Sequence, residues 1–356
     1  MKKILIYFFV VTCALFTACS KSSQSDKIKV GVLMPLTGDI AYIGQSYVNA
    51  MMMGIDEDKV ELIIDDTKSD VKTAISALNK MLSFDKIDVV VSAVPAVSEG
   101  INPILESKGI LHYALTFSPE ISQKENVIKL FPSSDEEVRA YMNYAVEKEL
   151  HNVVFLRHMF PDAELAFKTV VKPESKLLGL NVTDIPFDLS TRDFNNLANK
   201  VKVLQPELVI VQSLSYNFYN ISKSFMHAGI LDKMLGDLNF GDLYSCYALE
   251  EANELNGIPF LGLTYVTSER YNDFKKSYIE KYGEEPHYLS AFLYDVTITL
   301  NHLNLSGITK NEIIRYYNMN ELKGVTSDII RLDSNGDQIV GYSVLTFKNG
   351  EYEIIQ

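Results

Sequence analysis

The chain contains few cysteines, which limits how its fold can be stabilised. Three cysteines occur among 356 residues, at positions 13, 19 and 246. Cys13 and Cys19 belong to an N-terminal export segment described below, so Cys246 stands alone in the remaining chain. A lone cysteine forms no internal disulfide. The folded part must therefore be stabilised by apolar burial, and 47% of the residues are hydrophobic.

Positive charge is also scarce. The chain carries 33 Lys and Arg against 46 Asp and Glu, a formal net charge of −13, and no basic cluster is present. Binding to phosphate backbones requires Lys and Arg on one face, and adhesion to anionic lipid requires the same. The composition therefore argues against a nucleic-acid partner and against peripheral adhesion to an anionic membrane.

Sequence motifs of common enzymes are missing. The six histidines show no HxxxH or HxxE spacing that would gather a metal ion, and no GxSxG, P-loop or GxGxxG motif is present. Asp65 and Asp66 end a predicted strand. We expect them to act as a helix cap or a structural hydrogen-bond acceptor rather than as catalytic groups. Residues 333–337 resemble a calcium loop, but Val344 stands where Glu is required. The sequence thus predicts a protein without enzymatic activity, metal or cofactor.

The N-terminus has the layout of a secretory signal peptide. Lys2 and Lys3 precede the apolar residues 4–18, and this stretch is shorter than the roughly 20 residues that a transmembrane helix needs. Thr17-Ala18-Cys19 resembles the bacterial lipoprotein cleavage motif. We expect residues 1–18 to be removed, Cys19 to carry lipid, and residues 19–26 to form a tether. The protein would be exported and anchored to the bacterial membrane, in the periplasm or on the outer face.

From residue 27 onward, short apolar strands alternate with amphipathic helices. Residues 28–33 predict a strand, and Asp70 is expected to cap a later helix. The same alternation restarts after Pro132. It indicates open, mostly parallel α/β sheets, and two such runs indicate two sheets. The chain is also longer than one comfortable core requires.

Two local features of the second half give further expectations. Pro173 must kink or split a helix predicted over residues 163–178. Residues 339–347 and 352–355 predict a β-hairpin with an Asn-Gly turn at positions 349 and 350.

Ligands of open α/β sheets bind beyond the carboxyl ends of the strands. The loops at these ends are rich in aromatic residues, whereas exposed loop tips usually carry small polar groups. We interpret these aromatics as a pocket wall, with packing inside their own lobe as the equal alternative. They are Tyr42, Phe117, Phe160, Tyr216, Phe218, Tyr219, Phe240 and Tyr244.

Several segments resemble one protein family. They are residues 28–55 (IKVGVLMPLTGDIAYIGQSYVNAMMMGI), Asp65-Asp66, 102–110, 117–121, Ala228-Gly229, 280–286 (EKYGEEP) and 333–337. In this order they resemble the leucine/isoleucine/valine-binding protein family, the type I periplasmic substrate-binding proteins of ABC transporters.

The resemblance implies two doubly wound, mostly parallel α/β lobes joined by three crossovers, near Pro132, Tyr265 and Thr326. Lobe 1 would contain residues 27–132 and 266–326. Lobe 2 would contain residues 133–265 and 327–356. A ligand would lie in the cleft and close the lobes by a hinge motion.

The resemblance also implies the ligand contacts. Transferring the amino-acid site of the family gives Tyr42 beside Ile43 in lobe 1, Thr116 or Phe117 after the fourth strand, and positions flanking Leu238 for the acid that pairs with a ligand amine. The predicted ligand-binding residues are Tyr42, Pro95, Ala96, Thr116, Phe117, Phe160, Leu214, Tyr216, Asp237 and Asn239.

Two departures from the family pattern change the expected ligand. Pro95 stands where a carboxylate-binding hydroxyl is expected, and Leu238 stands where an acid is expected. A buried zwitterion with unpaired charges costs several kcal/mol. We therefore expect a small molecule that is amino-acid-like or more apolar or aromatic than an ordinary α-amino acid.

The predicted function is a solute receptor that delivers its ligand to an ABC permease in the cytoplasmic membrane. A ligand-sensing regulatory protein of the same fold is the alternative, because a docking surface for a permease or for a signalling partner leaves no motif. An enzyme on this fold is a third class, which the missing nucleophile and metal motifs disfavour.

Overall fold

In a computed structural model of the protein, which describes residues 27–159, 161–188, 190–303 and 307–355, the chain forms two open β-sheets, each covered by helices on both faces. The predicted signal peptide, Cys19 and the tether lie outside the described residues. The predicted class, two mostly parallel α/β lobes, is confirmed.

The first sheet belongs to lobe 1. Its strands are β1 Ile28–Met34, β2 Val60–Asp66, β3 Val89–Ala93, β4 Leu111–Leu115 and β5 Val127–Lys129. They are all parallel, in the order β2-β1-β3-β4-β5. The helices of this lobe are α1 Ala41–Gly54, α2 Val71–Lys80, α3 Pro95–Ser107, α11 Glu269–Tyr282, α12 Ser290–His302 and α13 Lys310–Met319.

Both faces of the first sheet are buried because its strands are apolar throughout. Val30 and Val32 pack with Met51 of α1, whereas Leu33 points to the opposite face and packs with Leu78 of α2. This alternation along β1 is the normal period of a strand. Asp70 caps α2 as predicted, accepting the Thr73 N–H at 2.8 Å.

The second sheet belongs to lobe 2. Its strands are β6 Asn152–His158, β7 Asn181–Phe187, β8 Leu208–Gln212, β9 Met234–Gly236, β10 Phe260–Leu263, β11 Tyr342–Lys348 and β12 Glu351–Ile354. Their order is β12-β11-β10-β9-β8-β6-β7, with β6 to β10 parallel and β11 antiparallel to both neighbours. The helices are α4 Ser134–Glu147, α5 Pro161–Ala166, α6 Lys172–Leu177, α7 Asn195–Val203, α8 Phe218–Ala228, α9 Leu243–Cys246 and α10 Leu249–Glu254.

Local features of lobe 2 agree with the sequence. A π-helical turn, Phe167–Val171, interrupts the helix just before Pro173, because proline lacks the N–H that an α-helix would need. The predicted hairpin is formed by β11 and β12. Asn349 and Gly350 both adopt positive φ (54° and 85°), the conformation that an Asn-Gly hairpin turn requires.

Within the described ranges, the chain passes between the lobes at three places. The first is residues 130–133, between β5 and α4, and the second is Thr264–Thr267, between β10 and α11. Among the described residues, no helix combines the length and apolar character that crossing a membrane requires.

The third passage lies later in the chain than expected. The Thr326 N–H and hydroxyl both donate to Asp295 Oδ2 of α12, at 2.9 and 2.5 Å. Asp337 still pairs with Lys129 at the end of β5, and β11 begins only at Tyr342. We therefore place this passage at residues 339–341 and not near Thr326, because Asp295 ties that segment to lobe 1.

A buried ion pair joins the segments that precede the first and third passages. The fully buried Lys129 Nζ lies 3.0 Å from Asp337 Oδ2 and donates to the Phe131 carbonyl at 2.8 Å. Ser122 donates its hydroxyl to the same Asp337 oxygen at 2.9 Å. Burial raises the pKa of Asp337 although Lys129 opposes this. Such a pair gives little net stability, but losing one partner leaves a buried charge uncompensated.

Lys129→Met should lower the free energy of unfolding by about 3 kcal/mol, because Asp337 would keep its charge without a partner. The matched control is Lys59→Met, which breaks the exposed Lys59–Asp56 pair (3.1 Å) and should cost at most about 0.5 kcal/mol. Urea unfolding followed by circular dichroism measures both. Equal losses in the two variants would contradict a structural role for the buried pair.

Candidate functional site

In each lobe, the predicted site residues follow the carboxyl ends of parallel strands. In lobe 1, Tyr42 lies in the first turn of α1, Pro95 and Ala96 begin α3, and Thr116 and Phe117 follow β4. Tyr42 is 45% exposed and Phe117 39% exposed, whereas Thr116 is buried. Parallel strands place these turns at one edge of the sheet, so the lobe presents two accessible aromatic rings there.

In lobe 2, Leu214 and Tyr216 follow β8, and Asp237 and Asn239 follow β9. Tyr216 is 45% exposed. The predicted stacking residue Phe160 lies outside the described residues. The four described positions share the carboxyl edge of neighbouring strands, which is the placement that the sequence predicted.

Asp237 and Asn239 hold the backbone of the β8 loop. Asp237 Oδ2 accepts the Ser213 N–H at 3.0 Å, and Oδ1 accepts the Asn239 N–H at 2.9 Å. The Asn239 amide in turn donates to the Ser213 carbonyl at 3.0 Å. The Asp237 carboxylate is thus already bonded within its own lobe, and these contacts support a positioning role rather than a free partner for a ligand amine.

A second carboxyl group lies beside Asp237. The Tyr141 hydroxyl donates to Glu137 Oε1 at 2.5 Å, and the Leu238 N–H donates to the same carboxylate. Burial raises the pKa of Asp237 well above its usual range, and the neighbouring Glu137 charge raises it further. Burial also raises the pKa of Glu137. Two neighbouring carboxyls removed from water disfavour being ionised together.

Two contacts between the lobes meet at Asp242, in the turn after β9. The Tyr42 hydroxyl donates to Asp242 Oδ2 at 3.1 Å, and His287 Nε2 lies 3.8 Å from Oδ1. Burial lowers the pKa of His287, which Asp242 only partly opposes, so the imidazole is mostly neutral at pH 7. Neither Asp242 nor His287 was predicted, because their roles depend on how the two lobes approach each other.

A cavity that is open to solvent also lies between the lobes beside this edge. Its volume is about 360 Å³. Its lining comes from the loop after β4, from the start of α4 and from the α5 region: Pro119, Glu120, Gln123, Ser134, Asp135, Leu165, Ala166 and Thr169. None of the ten predicted ligand contacts lines this cavity. The Phe117 carbonyl accepts the N–H of one lining residue, Ser134, at 3.1 Å.

For three rings of the predicted aromatic wall, the structure supports the stated alternative, packing inside their own lobe; for the others the wall stays a prediction. Phe218 and Phe240 are fully buried and pack edge-to-face with each other, with ring centroids 5.0 Å apart. Tyr244 packs against Phe347 of the same lobe at 4.9 Å. These rings belong to the lobe 2 core, because the loop after β9 folds back over the sheet. Tyr42, Phe117 and Tyr216 remain accessible.

A buried polar network positions the turn that contains Pro95 and Ala96. His112 Nε2 lies 2.7 Å from the Ser92 hydroxyl, which is 2.7 Å from the Ser98 hydroxyl. His112 Nδ1 lies 3.0 Å from Asn102 Oδ1, and the Asn102 amide donates to Asn126 at 3.2 Å. These bonds join β3, α3 and β4, and they satisfy the polar side chains that this packing buries.

Among the described residues, no group of three or more His, Cys, Asp and Glu side chains is arranged to hold a metal ion. The geometry offers instead polar and aromatic side chains at facing strand ends. This arrangement can bind a small molecule by hydrogen bonds and ring contacts.

Comparison with known proteins gives a family match. The sequence model described as periplasmic binding protein matches residues 27–303. No curated protein matches the chain significantly.

Solved structures share the fold over nearly the whole chain. A leucine-binding protein from Thermotoga maritima is 21% identical with a TM-score of 0.76, over 92% of this chain and 98% of its own. A branched-chain amino acid ABC transporter ligand-binding protein from Burkholderia xenovorans is 16% identical with a TM-score of 0.80 (93% and 95%). An ABC transporter solute-binding protein from R. palustris, in complex with benzoate, is 14% identical with a TM-score of 0.73 (92% and 95%).

His112 makes stability depend on pH. Burial lowers its pKa to about 3 from 6.5. Between pH 6.5 and about 3, His112 is therefore protonated in the unfolded chain but neutral in the folded protein. The contribution of His112 to the free energy of unfolding falls as the pH drops through this range. The slope approaches about 1.4 kcal/mol per pH unit.

Urea unfolding at pH 7, 5 and 4 should show a smaller loss of stability for His112→Gln than for the wild type, since glutamine does not titrate. Parallel pH profiles for the two proteins would contradict a neutral, buried His112.

Proposed function

This chain belongs to the periplasmic binding protein family, and from that premise we propose that it captures a small molecule between its two lobes and delivers it to an ABC importer. The main support is positional. The Tyr42–Asp242 hydrogen bond joins the segments that follow β1 and β9, so the carboxyl edges of the two sheets lie close together. Ligands of open α/β sheets bind at such edges.

The proposed ligand is amino-acid-like or more apolar or aromatic. Pro95 offers neither an N–H nor a hydroxyl to a ligand carboxylate, and Asp237 is bonded to its own lobe. A zwitterion would bury at least one charge without a full set of partners, which costs several kcal/mol. The exposed rings of Tyr42, Phe117 and Tyr216 instead provide apolar contact area.

The proposed location follows from the N-terminal sequence. Residues 1–18 would direct export, and a lipid on Cys19 would hold the protein at the membrane, where its permease lies. Attached acyl chains contribute about 0.8 kcal/mol per buried CH₂ group.

The ligand class is testable by a thermal-shift screen of branched-chain amino acids, aromatic acids and their amides. A ligand at about 100 times its dissociation constant should stabilise the protein by roughly 2.7 kcal/mol. We expect aromatic or apolar compounds to raise the melting temperature more than leucine or valine. Stabilisation by leucine and valine alone would contradict the proposed ligand class, and no stabilisation by any class would contradict the proposed function.

The anchor is testable by substitution. In a bacterial expression host, Cys19→Ala should shift the protein from the detergent phase to the aqueous phase of a Triton X-114 partition and remove the acyl mass. Cys13→Ala is the matched control, because that cysteine lies in the segment to be removed. A Cys19→Ala protein that keeps both the acyl mass and the detergent partition would show that Cys19 does not carry the anchor.

A further inference from the structure

The carboxyl end of β8 buries two polar side chains without partners. Ser213 is fully buried and Asn217 is 1% exposed. Among the described residues, neither the Ser213 hydroxyl nor either amide atom of Asn217 has a hydrogen-bond partner. Burying such groups unpaired costs roughly 1–3 kcal/mol each, so a folded protein keeps them for a reason outside its own packing.

Asn217 occupies a position where an asparagine side chain normally caps a helix. It is the N-cap residue of α8, a position at which asparagine usually accepts a backbone N–H. Its side chain makes no capping bond, although its own N–H donates to the Leu214 carbonyl at 3.0 Å. The amide is therefore not used by the helix that it begins.

Ser213 is held rigidly by its backbone. Its N–H donates to Asp237 and its carbonyl accepts the Asn239 amide, both at 3.0 Å. The turn that contains Asn217 packs against the turn Leu238–Asp242, which carries the interlobe contact to Tyr42. The hydroxyl and the amide therefore lie on backbone that is held next to the turn of the interlobe contact before any ligand arrives, and such preorganisation lowers the entropy cost of binding.

The carboxyl groups near these two side chains disfavour an anionic ligand group. The Asp237 carboxyl, with Glu137 behind it, bonds the Ser213 backbone. On the neighbouring strand β6, the charge of Arg157 is already paired with Glu164 and Asp184, both at 2.8 Å. Arg157 lies opposite Gln212 in the sheet, so His158 lies next to Ser213. Burial lowers the pKa of His158 to about 4, so this imidazole supplies no positive charge at pH 7.

We propose that Ser213 and Asn217 are the polar specificity residues of lobe 2 and bind an uncharged hydrogen-bonding group of the ligand, such as a carboxamide or hydroxyl. This inference rests on the proposed function. The Asn217 amide donates through Nδ2 and accepts through Oδ1, and the Ser213 hydroxyl can donate or accept. A neutral ligand group that both donates and accepts can therefore bond Ser213 Oγ, Asn217 Nδ2 and Asn217 Oδ1. A carboxylate would only accept, leaving the amide oxygen of Asn217 unpaired.

The first test needs no ligand. In the ligand-free full-length protein, Asn217→Leu and Ser213→Ala should each raise the melting temperature, by roughly 2 °C, because they remove buried polar atoms that lack partners. The matched controls are Asn102→Leu and Ser98→Ala, whose side chains are equally buried but fully hydrogen-bonded. Both controls should lower it.

The second test uses two probe pairs, benzamide with benzoate and 4-methylpentanamide with 4-methylpentanoate, in calorimetric titrations. The wild type should bind the amide of a pair more tightly than the acid, and Asn217→Leu should weaken amide binding about tenfold or more.

Four outcomes decide the proposal. Melting temperatures that fall in Asn217→Leu as they do in Asn102→Leu would overturn it, because the side chain would then be structural. Unchanged amide affinity in Asn217→Leu, or tighter binding of the acids, would also overturn it. A wild type that binds no probe, and none of the compounds in the earlier screen, counts against the proposed function, and the ligand-free melting temperatures then decide for Ser213 and Asn217 alone.

Discussion

The polarity of the parallel strands is the constraint on which the rest of the structure depends. Because every strand from β6 to β10 runs in one direction, the loops that follow them collect at one edge, and the same holds for β1 to β5. The three passages between the lobes turn these two edges toward each other. The buried Lys129–Asp337 pair joins the segments that precede the first and third passages, so these two passages leave lobe 1 side by side.

The facing edges differ in how their polar groups are satisfied. In lobe 1, the network around His112 uses its buried donors and acceptors internally and gives the Pro95 turn a fixed shape. In lobe 2, Asp237 holds the β8 loop, while the side chains of Ser213 and Asn217 have no partner among the described residues. Rigid support around a few unpaired groups is what a selective binding site requires, because specificity comes from groups that are unsatisfied without the right ligand.

The sequence predicted features that local physics decides. The Asp70 cap and the Asn349–Gly350 turn follow from residue type alone, and both are present. It did not predict contacts that depend on how distant segments meet. The Tyr42–Asp242 bond joins different lobes, and Phe240 was expected in a pocket wall but packs in the core because its loop folds back. The sequence likewise could not predict that the Asn217 amide lacks partners, since an asparagine before a helix is normally interpreted as its N-cap.

The central claim is that a small molecule binds between the lobes and draws them together. X-ray scattering of the wild type, with and without a compound that stabilises it against heat, tests this most directly. Closure around a bound molecule predicts a smaller radius of gyration in its presence, by the hinge motion that three passages allow. An unchanged radius of gyration at saturating ligand would place the binding site elsewhere and contradict the account.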